Sequence, residues 1–153
     1  MKNGTIARFE WLYDVAADIW SATSFTELRR NGLAIERWNM LHPEAKPRVS
    51  YVSQCLEKRT GPVVAASDYI KAFADQIRPF VPANRVYKVL GTDGFGRSDS
   101  RAKLRHFFEV NRYFVAIAAL KALADQGEIK AKLVADAMKK YGTDPEKSDP
   151  VTV

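Results

Sequence analysis

Short apolar runs alternate along this chain with longer stretches whose apolar positions recur every three or four residues. The runs Val15–Trp20, Val63–Ala66 and Val86–Leu90 have the length and composition of buried strands. The periodic stretches predict helices. A short one over 5–13 is spaced by Ile6, Phe9 and Leu12 or Tyr13. Ser24, with Glu27 three positions later, forms a capping box that opens a helix through Thr26–Arg30. Asn31-Gly32 predicts an interruption, after which Ile35, Trp38 and Leu41 resume helical spacing until His42-Pro43. A helix over 49–58 ends before Gly61-Pro62. Ser67-Asp68 predicts a cap for a helix that lines up Tyr69, Ile70, Phe73, Ala74 and Ile77, stopped by Pro79 and Pro82.

The stretch from Leu90 to Leu123 organises the rest. Three glycines, Gly91, Gly94 and Gly96, follow a strand within six residues, and Ser98 or Asp99 is placed to start a helix. That helix sets Leu104, Phe107 and Phe108 on one side and His106 opposite. Asn111 is placed to cap a second helix, 113–126, which is apolar nearly all round and so belongs inside protein. Gly127 ends it, a last amphipathic helix carries Leu133, Val134, Ala137, Met138 and Tyr141, and Gly142 closes that one. Residues 143–153 read as a polar, frayed tail. Strands alternating with capped helices predict an α/β fold: three layers, a mostly parallel sheet, helices on both faces.

Composition narrows the classes without choosing one. At 153 residues the chain reads as one domain, and 46% hydrophobic with 27% charged residues is ordinary for a globular protein. No apolar run approaches the ~20 residues that span a bilayer, and the N-terminus lacks the pattern of a signal peptide. The expected compartment is the cytoplasm, with no membrane partner. A single cysteine, Cys55, excludes an intramolecular disulfide and reads as a buried, inert thiol. The net charge of +6 raises nucleic acid as a partner, but basic residues are interleaved with acids and no nucleic-acid motif accompanies them. Only 97–112 is lopsided, with five Arg or Lys against Asp99 and Glu109. No nucleic-acid role is expected.

Several candidate chemistries have simpler readings. The loop Gly91-Thr-Asp-Gly-Phe-Gly96 follows a strand and precedes a helix, a context that can hold a phosphate on backbone amides. Its spacing is neither the dinucleotide nor the P-loop pattern, and Asp93 and Asp99 would repel an anion. The competing reading is a tight turn in which Asp93 caps amides and Phe95 packs inward or across a dimer contact. Arg97 and Arg101 can bind phosphate or carboxylate, pair with Asp99, or meet an acidic surface on a partner domain. His42 and His106 have no cysteine or third histidine nearby, so a metal site lacks support. Ser67-Asp68 has no base beside it.

The pattern Asp93-x-Phe95-Gly96-x-Ser98, a helix, Phe108-x-Val110 and an Ala-rich helix resembles the C-terminal domain of the transketolase-like thiamine diphosphate enzymes. The fuller wording Thr92–Arg101 and Leu104–Val110 is similar, more narrowly, to the homodimeric pyruvate dehydrogenase component that decarboxylates pyruvate. Trp20–Arg30, Glu36–Asn39, Leu41–Pro43 and Gln76–Phe80 extend the resemblance over about 16–145. Asn111, where the family would place aspartate, is a departure. The resemblance implies a sheet lacking its first strand, a domain over 1–142 truncated at its N-terminus, and a polar tail over 143–153. It implies an oxidoreductase that acts on pyruvate with thiamine diphosphate and Mg, forms a homodimer, and acetylates the lipoyl groups of a dihydrolipoyl acetyltransferase. The family holds its cofactor on a Gly-Asp-Gly segment ending in paired asparagines. Thr92-Asp-Gly94 lacks those, so no catalytic, cofactor-binding or metal residue carries over, and this chain alone is expected to be inactive. Asp93, Phe95, Gly96, Arg97, Ser98 and Arg101 are the candidate contact with another domain or subunit. The alternative is a free-standing module that binds a phosphorylated small molecule through 91–98.

Overall fold

A computed structural model describes residues 13–153; the helix expected over 5–13 lies, apart from Tyr13, outside them. In chain order the elements are α1 (Phe25–Leu41), α2 (Tyr51–Leu56), β1 (Val63–Ala66), α3 (Lys71–Asp75), a 3₁₀ turn (Arg78–Phe80), β2 (Tyr87–Leu90), α4 (Arg101–Phe107), α5 (Arg112–Asp125) and α6 (Ala131–Tyr141). β1 and β2 pair in parallel, Val63 opposite Tyr87 and Ala66 opposite Leu90. Strand alternation puts Val63, Ala65, Tyr87 and Val89 on one face. There they join Val52, Ile77, Phe80 and Val81 in the main core, with Phe25 and Leu28 of α1 packed against it. α5 packs on the sheet and, through Leu120, builds a second core with Val134 and Ala137 of α6. Helices therefore cover both faces of a parallel sheet, as the alternation of elements predicts.

The sheet has two strands among the described residues where the sequence predicts three. Val15–Trp20 forms no regular element, and Ile19 and Trp20 are exposed. An apolar run becomes a strand only with a ladder to join, and no backbone pairing holds 15–20 to the sheet. Arg59 instead ties the run at its side, 2.7 Å from the Asp18 carboxylate and with its guanidinium above the Trp20 ring.

Ser24 caps α1 through the Glu27 amide, as the capping box predicts, but the helix runs unbroken through Asn31-Gly32. A glycine in a helix costs about 1 kcal/mol relative to alanine. Here it admits the Phe80 ring against the helix backbone, where any Cβ would overlap the ring. Asn31 accepts a hydrogen bond from the Tyr51 amide at 2.9 Å, which anchors the start of α2. Beyond α2, Arg85 reaches back to the carbonyls of Leu56, Thr60 and Gly61 and pins the turn into β1.

The helix expected from Tyr69 begins at Lys71 and ends at Asp75. Ser67 accepts the Tyr69 amide in a local turn, while Asp68 pairs with Arg105. α4 starts at Arg101, after Ser100, whose side chain makes no capping bond. Asn111 caps α5 through the amides of Tyr113 and Phe114, as its position predicts. Gly127 and Gly142 take left-handed conformations at the ends of α5 and α6. α5 is less enclosed than its apolar composition predicts, with only Leu120 and Ala122 fully buried.

Tyr87 is buried, and its hydroxyl donates to the carbonyl of fully buried Ala74 at 2.7 Å. Burial first, and the Asp75 carboxylate second, push its phenol up to about 12. A group whose pKa is raised on folding gives stability that is complete below its unfolded pKa of about 10 and is lost as pH rises toward the folded value. Denaturant midpoints should therefore fall more steeply between pH 10 and 12 for the native chain than for Tyr87→Phe. Equal slopes for the two would refute the role of this phenol.

Candidate functional site

The loop after β2 is built by contacts that reach back to the segment before α3. Gly91 is buried so closely that a Cβ would lie 2.6 Å from the Lys71 nitrogen and 2.7 Å from the Tyr69 oxygen. Thr92 completes the junction twice: its amide donates to the Tyr69 carbonyl and its hydroxyl to that of Asp68, both at 2.9 Å. The Asp93 carboxylate accepts the Lys71 amide at 3.0 Å and so caps α3 from a distant part of the sequence.

On the other side of the loop lies the C-terminal segment. Gly94 has φ +115°, and a Cβ there would collide with the Pro150 carbonyl. Pro150 is buried, and Lys147 donates to the Phe107 carbonyl at 2.7 Å and to the Glu109 carboxylate at 3.2 Å. Residues 143–153, expected to fray, are thus strapped across the loop and the end of α4. The strap also steadies Glu109, which takes a left-handed φ of +61° at a helix end where glycine is usual.

The candidate contact residues are divided by this arrangement. Asp93 is committed to backbone capping, whereas Phe95, Gly96, Arg97, Ser98 and Arg101 are exposed. Phe95 is therefore not packed inward. Arg97 lies over the Phe107 ring, 4.3 Å from its centroid, and Asp99 faces Lys103 at 3.7 Å rather than Arg97 or Arg101. Arg105 holds Asp68 in a two-pronged pair, with hydrogen bonds of 2.9 to 3.1 Å. Of the five residues that sequence spacing places on one face, Tyr69, Ile70 and Phe73 are exposed beside the loop, whereas Ala74 and Ile77 are buried. α3 starts only at Lys71, whose amide the distant Asp93 carboxylate accepts, so Tyr69 and Ile70 precede the helix.

The remaining singled-out residues serve the scaffold. His42 stacks on Trp38 at 4.3 Å with its Nδ1 2.8 Å from the Trp38 carbonyl, and Arg48 lies over the same indole. His106 rests against Phe114 and Asn111. Cys55 is half-buried rather than buried, in the wall of an open cleft of about 1910 Å³. The run 15–20, the outer edge of β1 and the Val115, Ala116 and Ala119 face of α5 line that cleft.

Neither phosphate nor a diphosphate–magnesium group fits the glycine loop. The Thr92 hydroxyl and the Asp93 carboxylate are already engaged, the Pro150 carbonyl abuts Gly94, and two carboxylates repel an anion. The phosphate-binding alternative gains no support.

A parallel sheet sandwiched between helices, with a glycine turn after its second strand, defines an α/β domain. The model of the transketolase-like TK C-terminal domain matches residues 7–111, and the chain belongs to that family. It is 62% identical over 139 residues to the pyruvate dehydrogenase E1 component of Pseudomonas aeruginosa, a match that spans 91% of this chain and 16% of the relative. The corresponding protein of Cupriavidus necator is 59% identical over 92% of the chain and 16% of the relative. That of Escherichia coli K12 is 55% identical over 90% and 15%. The chain thus spans about one-sixth of the length of these relatives.

Proposed function

We propose that this chain serves as the C-terminal domain of a pyruvate dehydrogenase E1-type enzyme. The observation that carries the reading is 62% identity across 91% of the chain to such a protein. In this reading the whole enzyme, an oxidoreductase, decarboxylates pyruvate on thiamine diphosphate and Mg in the cytoplasm. It then passes the acetyl group to a lipoyl group of a dihydrolipoyl acetyltransferase. Residues 1–142 are one domain and 143–153 a polar extension strapped onto it. The chain itself supplies packing and the contact surface 93–101 toward other domains or a second subunit of a homodimer. Catalytic groups and cofactor ligands come from the rest of the enzyme.

Reconstitution tests this. Pyruvate-dependent reduction of an artificial electron acceptor should be absent with this chain alone. It should appear when the chain is mixed with an E1 component truncated of its own matching region. Activity of the chain alone, or a mixture as inactive as either part, would count against the reading.

A further inference from the structure

Four large apolar side chains stand out of the surface where the glycine loop meets α3. Phe95 is 76% exposed, Tyr69 69%, Ile70 47% and Phe73 44%. Tyr69 and Phe73 meet edge to face, 5.5 Å between centroids. Apolar side chains this exposed, on two segments that backbone hydrogen bonds join, point to an interaction site.

The patch is held in shape from beneath. The Asp93 cap and the two Thr92 bonds fix the loop to the Tyr69–Lys71 backbone, and the Pro150 carbonyl backs Gly94, the residue before Phe95. An aromatic carried on an anchored backbone has less chain freedom to lose on binding than one on a loose loop. The same two segments, and the start of α4 that follows the loop, carry the cations Lys71, Arg97 and Arg101. Among the described residues, no carboxylate lies within ion-pair distance of Lys71, Arg97 or Arg101, whereas Asp68 and Asp99 face Arg105 and Lys103.

We propose that this patch is the face by which the chain docks onto the remainder of an E1-type polypeptide, at an apolar pocket for Phe95 bordered by carboxylates. The proposal rests on the functional reading above and names the partner chemistry for it. Two facts select this occupant: the relatives carry about five-sixths of their length outside the matching region, and the unpaired cations call for acidic groups opposite.

The test replaces the matching region of the Pseudomonas aeruginosa E1 component with this chain and compares amide exchange in the chimera and in the isolated chain. In an active chimera, amides of 69–73 and 94–97 should exchange at least about tenfold more slowly than in the isolated chain. Phe95→Asp should abolish that protection in the chimera while leaving the melting temperature of the isolated chain unchanged. An active chimera with unprotected amides would overturn the docking face and leave the functional reading intact. Protection that grows with concentration of the isolated chain would assign the face to a second copy and overturn the occupant. An inactive chimera would overturn the functional reading, and this proposal with it.

Discussion

Leu120→Ala should lower the unfolding free energy by about 3 kcal/mol and the melting temperature by roughly 10 °C. Among the described residues Leu120 is the largest side chain that is wholly buried, at 0% exposure. It lies on α5 against Val134 and Ala137 of α6, with Ile117, Leu133 and Tyr141 around them. Truncation removes several buried methylene and methyl groups and leaves a cavity whose walls are fixed by two helices. The Gly127 turn holds those helices close, and the left-handed cap at Gly142 closes the second of them. Denaturant melts would show the loss as a lower midpoint. Amide exchange should accelerate most in α6, because its buried contacts run through this small core rather than the one around Phe80. A loss below about 1 kcal/mol would mean that the helix pair closes up around the gap.

That second core shows what was legible in the sequence. α5 and α6 are written in local signals: Asn111 at the cap, apolar spacing, and glycines at both exits, and all of these form as read. Val63–Ala66 and the strand ending at Leu90 were likewise legible as bounded Val-rich runs. The differences arise where a distant contact overrides a local signal. Val15–Trp20 is as strand-like as either, yet it lines the open cleft beside the outer edge of β1 without a backbone pairing to it. Asp93 caps a helix 22 residues earlier in the chain at Lys71, so Tyr69 and Ile70 precede that helix and stand on the surface, while Ala74 and Ile77 of the same sequence stripe are buried. The motif around 93–101 belongs to the contact face proposed above. The same motif is silent on which neighbours share that surface, since the bonds that bring the backbone of 68–71 to the loop span 22 to 24 residues.

Gly32→Leu should destabilise the fold by about 2 kcal/mol, although leucine is the better helix former by nearly 1 kcal/mol. Propensity favours the change, and packing decides against it. The Phe80 ring lies directly against the α1 backbone at Gly32, within the overlap distance of any added Cβ. The ring cannot swing away, because Phe80 is itself buried among Val52, Ile77, Val81 and Tyr87, and its carbonyl is held by the Ser53 hydroxyl at 2.7 Å. The helix cannot lift without breaking the bond from the Tyr51 amide to Asn31. Phe80→Ala alone should also destabilise, by about 3 kcal/mol, through the cavity it leaves. Combined with Gly32→Leu, it should cost less than the sum of the two single changes by at least about 1 kcal/mol, since the leucine then occupies the vacated space. Strict additivity in that cycle would show that the two positions do not touch, and the unbroken helix through Asn31-Gly32 would need another cause.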